Sequence, residues 1–199
     1  QAAGKITREE IAAVLHRVKN KTYDTPVTAT GNVFSDVPVE RWSMPEIEYL
    51  AHYEIIQGYP DGTYQPEQNL TRAEFAALVR RFAQLDVPKE AETVFPDVSD
   101  KLWAYEDILA IYEAGLIDGY EDGTFRPENE ITRAEVMTII NRILGRKPDE
   151  AYIKTLDFNP YTDLDPEQWY YTIVLEATIT HSYYLDEKET KEYKWEDYR

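Results

Sequence analysis

Three arginines occupy one place in a segment that recurs along the 199-residue chain: Arg8 in Ile6-Thr7-Arg8-Glu9-Glu10-Ile11, Arg72 in Leu70-Thr71-Arg72-Ala73-Glu74-Phe75, and Arg133 in Ile131-Thr132-Arg133-Ala134-Glu135-Val136. Each copy reads as a helix start. The Thr can cap the helix while the Glu three residues on reaches back to the cap amide, and the apolar residues flanking the segment form a hydrophobic staple. The arginine is needed for neither device, and its charge is the wrong sign for that end of the helix dipole. A recurrent, locally unhelpful cation calls for an anionic partner. One reading is a charge-assisted contact to a ligand carboxylate, supported by the amides of the helix N-terminus, with the arginines dispensable for the fold. The other is an ion pair to one of the chain's own 38 acidic residues. The residues alone leave both open.

Trp42, Trp103 and Trp169 also recur, each eight residues after the aromatic residue of Phe34-Ser35-Asp36-Val37, Phe95-Pro96-Asp97-Val98 or Tyr161-Thr162-Asp163-Leu164. They can stack on sugar rings or plug the core beneath a helix. Asp36, Asp97 and Asp163 read as turn or cap acceptors. Asp61-Gly62-Thr63 and Asp122-Gly123-Thr124 lie between aromatic residues and read as tight turns that could also offer amides and a hydroxyl to a polymer. They are not EF-hands: with Gly123 as the loop glycine, Tyr120 takes a ligand position and Asn129 the place of the bidentate Glu. The three histidines, His16, His52 and His181, do not recur in register with any partner, so neither a catalytic set nor a metal site is expected, and no cofactor is implied.

Composition narrows the classes further. There is no cysteine, hence no disulfide and no thiolate chemistry. The net charge of -17 argues against nucleic acid, which is bound by basic faces. No apolar run approaches the ~20 residues that span a bilayer, so no membrane insertion is expected. The chain opens partway into a repeated motif and is expected to be a fragment of something longer.

The elements that position these residues are repeats. The tryptophans are 61 and 66 residues apart and the Thr-Arg segments 64 and 61. Each unit runs from the aromatic-x-Asp turn through Trp into a first helix, near Pro45–Tyr53, Tyr105–Ala114 and Trp169–Thr178. Gly115 is expected to end the second of these. The Gly58–Tyr64 or Gly119–Phe125 loop follows, and then the capped Thr-Arg helix. Segments Lys19–Val33, Ala83–Val94 and Gly145–Pro160 read as linkers. Helices this short are marginal alone and must bury their faces against one another. The expected fold is all-α with short hairpin or loop elements, a single domain over residues 1–199 with units near 1–20, 34–83, 95–145 and 161–199. Three helices of each type suggest a pseudo-threefold bundle in which the first helix completes the last unit. That last unit lacks the Gly-Tyr-x-Asp-Gly-Thr loop; His181–Trp195 is expected to form a β-hairpin around Asp186–Thr190 instead.

The succession Phe-x-Asp-Val, Trp, Gly-Tyr-x-Asp-Gly-Thr-aromatic-x-Pro and Ile/Leu-Thr-Arg-Ala-Glu resembles the S-layer homology family across nearly the whole chain. The resemblance implies a three-pronged helical bundle of tandem units on a bacterial cell surface, without enzymatic activity. It also implies attachment of S-layer proteins or exoenzymes to a secondary cell-wall polysaccharide, often one bearing pyruvate ketals. In that family the Thr-Arg arginine is associated with reading the acidic group, in grooves between neighbouring units. The role carries over to Arg72 and Arg133, and to Arg8 with the difference that Glu9 stands where Ala is usual. Other readings are assembly of a surface protein without glycan, binding of modified peptidoglycan, or the anchoring part of a wall-active enzyme.

Overall fold

The computed structural model describes residues 1–20, 33–89, 95–156, 158–185 and 193–198. Two compact units emerge, Lys5–Ile131 and Thr132–Arg199, the second joined by Gln1–Gly4. The fold is mostly helical, as expected, with one two-stranded antiparallel ribbon.

The unit Lys5–Ile131 holds α1 (Arg8–Asn20), α2 (Met44–His52), α3 (Arg72–Ala83) and α4 (Tyr105–Glu113). All three Thr-Arg helices of the chain, α5 (Arg133–Ile143) included, start on the expected capping box. In α3 the Thr71 side chain accepts from the Glu74 amide at 3.2 Å while the Thr71 amide donates to Glu74 at 2.9 Å; Thr132/Glu135 and Thr7/Glu10 repeat the exchange. The staple residues Leu70 and Phe75, with their counterparts Ile6, Ile11, Ile131 and Val136, are all buried. Gly115 follows α4 at φ +68°, donates to the Tyr112 carbonyl, and so ends the helix as expected.

The two signature segments of a repeat are one structure. The Asp36 carboxylate accepts the amides of Tyr64 and Gln65, both at 2.7 Å, and Asp97 accepts those of Phe125 and Arg126 at 2.8 and 2.6 Å. Phe34 and Phe95 lie against the start of the same loops. A Cβ on Gly119 would sit 2.5 Å from the Phe95 ring and 2.9 Å from the Thr124 carbonyl, and Gly58 is as tightly confined by Phe34. A glycine therefore begins each loop because the aromatic-x-Asp turn occupies the space of a side chain.

The helices pair across consecutive repeats. Each Thr-Arg helix pairs with the first helix of the following unit: α1 with α2, and α3 with α4. Buried Ile11 and Leu15 of α1 and Ile47 and Leu50 of α2 supply the apolar faces of the first pair. The polar joint of the second is an ion pair between Arg80 and Asp107. Thus α1 has α2 as its partner within this unit. Short connections between the members of each pair are not required, because the loop separates helices that belong to different pairs.

In the other unit, α5 packs on α7 (Tyr171–Thr178) and α6 (Glu150–Ile153) packs on α7 as well. The core here is small: Ile153, Leu164, Tyr171, Val174, Leu175 and Ile179. Asn141 of α5 donates to the Ile173 carbonyl of α7 at 3.1 Å. The one-turn α6 lies inside Gly145–Pro160, which reads as a linker in sequence; Asp149 caps it by accepting the Tyr152 amide at 3.0 Å, and Ile153 anchors it in the core. Strands β1 (His181–Leu185) and β2 (Tyr193–Tyr198) pair antiparallel, with a bulge between Ser182 and Tyr183, where the hairpin was expected. The expected turn at Asp186–Thr190 lies outside the described residues, as do most of the Lys19–Val33 linker and the end of Ala83–Val94.

Candidate ligand groove

The helix starts that carry the arginines are closed to an anion. The first two amides of each Thr-Arg helix donate to backbone carbonyls: Arg8 and Glu9 to Gln68 and Pro66, Arg72 and Ala73 to Asn129 and Pro127, and Arg133 and Ala134 to Gly4 and Ala2, all at 2.9 Å. The third goes to the cap threonine. The groups that would make a helix N-terminus an anion site are therefore consumed, which corrects the expectation that they assist a ligand.

Arg8 and Arg72 themselves hold loops. Arg8 is 7 % exposed; its Nε donates to the Tyr64 carbonyl at 2.7 Å and Nη2 to the Gln57 carbonyl at 3.2 Å, while the guanidinium lies over the rings of Tyr59 and Tyr64. Its Nη1 pairs with Glu74 at 3.1 Å. Arg72 is 3 % exposed and repeats the arrangement on the next loop, donating to the Phe125 carbonyl at 2.7 Å and the Asp118 carbonyl at 3.3 Å, over Tyr120 and Phe125. Each arginine thus grips both ends of the Gly-Tyr-x-Asp-Gly-Thr loop that follows it. Dispensability for the fold does not fit this geometry. Arg133 is half-buried at the start of α5 in the other unit, and the chain has no third such loop for it to grip.

The Asp-Gly-Thr residues are occupied by their own turn. Gly62 and Gly123 take φ near +80° and donate to the Tyr59 and Tyr120 carbonyls at 3.0 and 2.8 Å. Asp61 accepts from both the amide and hydroxyl of Thr63, at 3.0 and 2.7 Å, which holds its carboxyl below the ordinary value. Asp122 does the same with Thr124 and adds an ion pair to Arg126 at 2.7 Å, and its carboxyl is lowered much further.

The tryptophans are not core plugs. Trp42, Trp103 and Trp169 are 56, 60 and 61 % exposed. Each precedes its helix by two residues and so stands outside the apolar stripe that faces the core.

Within the unit Lys5–Ile131 these elements enclose a groove of about 200 Å³. Buried Ile56, Leu70, Ala77 and Leu78 form its floor; Arg8, Tyr59, Glu74, Arg81 and Trp103 supply the polar and aromatic walls. Glu74 is heavily used, accepting from Arg8, from the Tyr59 hydroxyl at 2.9 Å and from the Thr71 amide. Burial and Glu74 both push the Tyr59 phenol above its ordinary value, so it stays a neutral donor. Arg81 is a groove-lining residue the motif reading misses. The signal was present: Arg17, Arg81 and Arg142 each lie ten residues after a cap threonine.

Glu9, the departure from the usual Ala, is buried. It accepts from Ser43 at 2.6 Å and pairs with Arg41 at 2.8 Å; Arg41 also reaches Glu67 at 3.0 Å. Burial alone would raise the Glu9 carboxyl, but hydrogen bonds from Arg41, Ser43 and the Trp42 indole outweigh it and hold the group below its ordinary value. The next copy places Ala73, Leu102 and Ala104 at the three matching positions.

Tandem helix-loop-helix repeats joined through a buried arginine define the class, and comparison with known proteins gives the family. A family model described as S-layer homology domain matches residues 33–76 and 94–137. The chain is 33 % identical over 186 residues to a cellulosome-anchoring protein of Acetivibrio thermocellus, covering 92 % of this chain and 40 % of that protein. It is 33 % identical over 138 residues to an S-layer protein of Bacillus licheniformis, covering 69 % of this chain and 15 % of the relative. It is also 36 % identical over 109 residues to an endoglucanase of a Bacillus species, covering 55 % of this chain and 11 % of the enzyme. The chain spans less than half the length of these relatives. It belongs to the S-layer homology family through two tandem repeats, and is a cell-surface module of the anchoring type. No helix among the described residues is long and apolar enough to cross a membrane.

Proposed function

We propose that this chain is a non-catalytic anchor that holds a bacterial surface protein to the wall by binding an anionic secondary polysaccharide, one bearing pyruvate ketals. The observation that supports it most is the groove of the unit Lys5–Ile131. There an exposed indole, Trp103, stands beside guanidinium and phenol donors over an apolar floor, the combination that takes a sugar ring with an acidic substituent. Trp42 and Trp169 would offer the same platform elsewhere. At -17 the chain repels a polyanion at long range, but the ~8 Å Debye length at physiological salt confines recognition to such local sites.

The same charge favours one other reading, peptidoglycan whose amines are exposed, since a polyanionic protein would be drawn to it. Relatives named as an S-layer protein and as an endoglucanase allow the parent protein to be a self-assembling surface protein or a wall-active enzyme, with this chain as its anchoring part. Co-sedimentation with purified sacculi, before and after extraction of the secondary polymer, tests the proposal. Binding lost on extraction supports the polysaccharide; binding that survives extraction assigns the chain to peptidoglycan; no binding to either leaves only an assembly role.

A further inference from the structure

We propose that one polar joint in each helix pair selects which Thr-Arg helix a tryptophan-led helix accepts, and that the joint of α5 and α7 differs from the other two so that α5 does not claim α4. Selection of this kind acts during assembly of the repeats, whatever ligand the folded chain then binds.

The joint occupies one register in all three pairs. Its first member stands nine residues after a cap threonine: His16, Arg80 and Asn141. Its second stands four residues after a tryptophan: Glu46, Asp107 and Ile173. Between α3 and α4 the two members are the ion pair of Arg80 and Asp107. Between α5 and α7 the Asn141 amide donates to the Ile173 carbonyl at 3.1 Å. Between α1 and α2 the His16 ring meets α2 one turn further on, edge to face with Tyr49 at 4.6 Å between centroids. These joints are poor devices for stability alone. Glu46 Oε2 and Asn141 Oδ1 are buried and find no hydrogen-bond partner among the described residues, a cost that an apolar joint would avoid. Polar groups kept at such a cost are explained by the partners they exclude.

The partner most in need of exclusion from α4 is α5. Residues 84–104 join α3 to α4 and residues 114–132 join α4 to α5, so chain length brings either Thr-Arg helix to α4 with similar ease. Their apolar faces are also alike: buried Phe75, Leu78 and Val79 in α3 match buried Val136, Ile139 and Ile140 in α5. The joint tells them apart. With α3, the buried Asp107 carboxylate gains Arg80; with α5 it would face the neutral Asn141 side chain and stay without a counter-ion. Were α7 to take α3 instead, Arg80 would face Ile173 and lose its carboxylate. Glu46 has the sign of Asp107, so the joint separates the last pair from the first two, and not those two from each other. Tandem repeats are prone to misassembly between like elements, which gives such selection its use.

Because the chain has no cysteine, engineered cysteine pairs can report on pairing in the full chain. One reporter combines Glu106→Cys with Arg81→Cys, the other Glu106→Cys with Arg142→Cys; each residue adjoins a member of a joint in sequence. Both are refolded from urea and treated with a short bismaleimide, and the intramolecular link is read by mass spectrometry. Exchanging the first members, Arg80→Asn/Asn141→Arg, should raise the link between α4 and α5 by at least about fivefold over wild type and lower that between α3 and α4. Adding Asp107→Ile/Ile173→Asp should return both links to their wild-type values. A double exchange that lowers the melt but leaves both links unchanged overturns the proposal, because the residues then only stabilise. So does a fourfold variant whose links stay altered. If the double exchange gives no cooperative melt, Arg80→Gln takes its place, since it leaves Asp107 without a cation on either helix; its link between α4 and α5 should rise, and an unchanged link overturns the selection.

Discussion

A guanidinium can serve a fold or a ligand, and its remaining hydrogen-bonding capacity separates the two. Arg72 is 3 % exposed and spends its donors on the Phe125 and Asp118 carbonyls, 53 and 46 residues away in sequence. Replacing it by alanine strands those carbonyls and opens a cavity between two aromatic rings. Arg72→Ala is therefore expected to destabilise the chain by about 3 kcal/mol, measured by urea unfolding, with the loss concentrated in protection of the Gly119–Phe125 loop in hydrogen exchange. A change under about 0.5 kcal/mol would show that the loop does not depend on the arginine. Loss of wall binding in an Arg72 variant consequently reads as loss of structure until its stability has been measured.

Between elements, what was legible in sequence was whatever closes over a few residues. The capping boxes on Thr71/Glu74 and Thr132/Glu135, the helix stop at Gly115, and the Asp-Gly turns need only local geometry, and each lies where the repeats put it. The partners of those elements were not legible. That α1 packs on α2, that Asp149 starts a one-turn helix held by Ile153, and that Trp103 faces out all depend on which surfaces meet in space. Glu9 shows the same limit. In sequence it is a departure from the usual Ala; in the fold it joins the start of α1 to the turn before α2 through Arg41 and Ser43. Since the Glu9 carboxyl is held below its ordinary 4.5, its contribution to stability is present above that pH and declines as pH falls through the lowered value. The joint should be replaceable as a set. Glu9→Ala/Arg41→Leu/Ser43→Ala, which copies Ala73, Leu102 and Ala104, is expected to match wild type within about 1 kcal/mol at pH 7 and to lose part of the acid-induced decline. Arg41→Leu alone leaves a buried carboxylate unpaired and should cost about 3 kcal/mol. Urea midpoints from pH 3 to 7 for the three proteins check this; a triple variant no better than the single one would show that the two copies are packed differently here.

At the scale of the whole chain, its first twenty residues serve both compact units. Residues 8–20 are α1, the helix against which α2 lies, and Tyr64 reaches back into it by donating its hydroxyl to the Arg8 carbonyl at 2.8 Å. Ile6 accepts the Leu70 amide at 3.1 Å, tying the segment before α1 to the segment before α3. Residues 2 and 4, by contrast, accept the first amides of α5 in the other unit, and the N-terminal amine pairs with Asp163 at 2.7 Å. Deleting residues 1–20 should therefore do more than trim a terminus. In the unit Lys5–Ile131 it exposes the apolar face of α2, removes both partners of Glu74 and Tyr64 supplied by Arg8, and takes Arg8 out of the groove wall. In the other unit it uncaps α5, whose first amides have no other backbone acceptor. The Gln1–Asp163 pair, being exposed, adds little. The expected result is a melt at least about 10 °C lower or no cooperative melt at all, together with lost sacculus binding. Deletion of residues 1–4 alone should spare the groove and lower stability only modestly, by about 1–2 kcal/mol for the two amides left without acceptors. An unchanged melting temperature after removal of residues 1–20 would mean that α1 is an accessory, and that the repeats beginning at Phe34 and Phe95 fold without it.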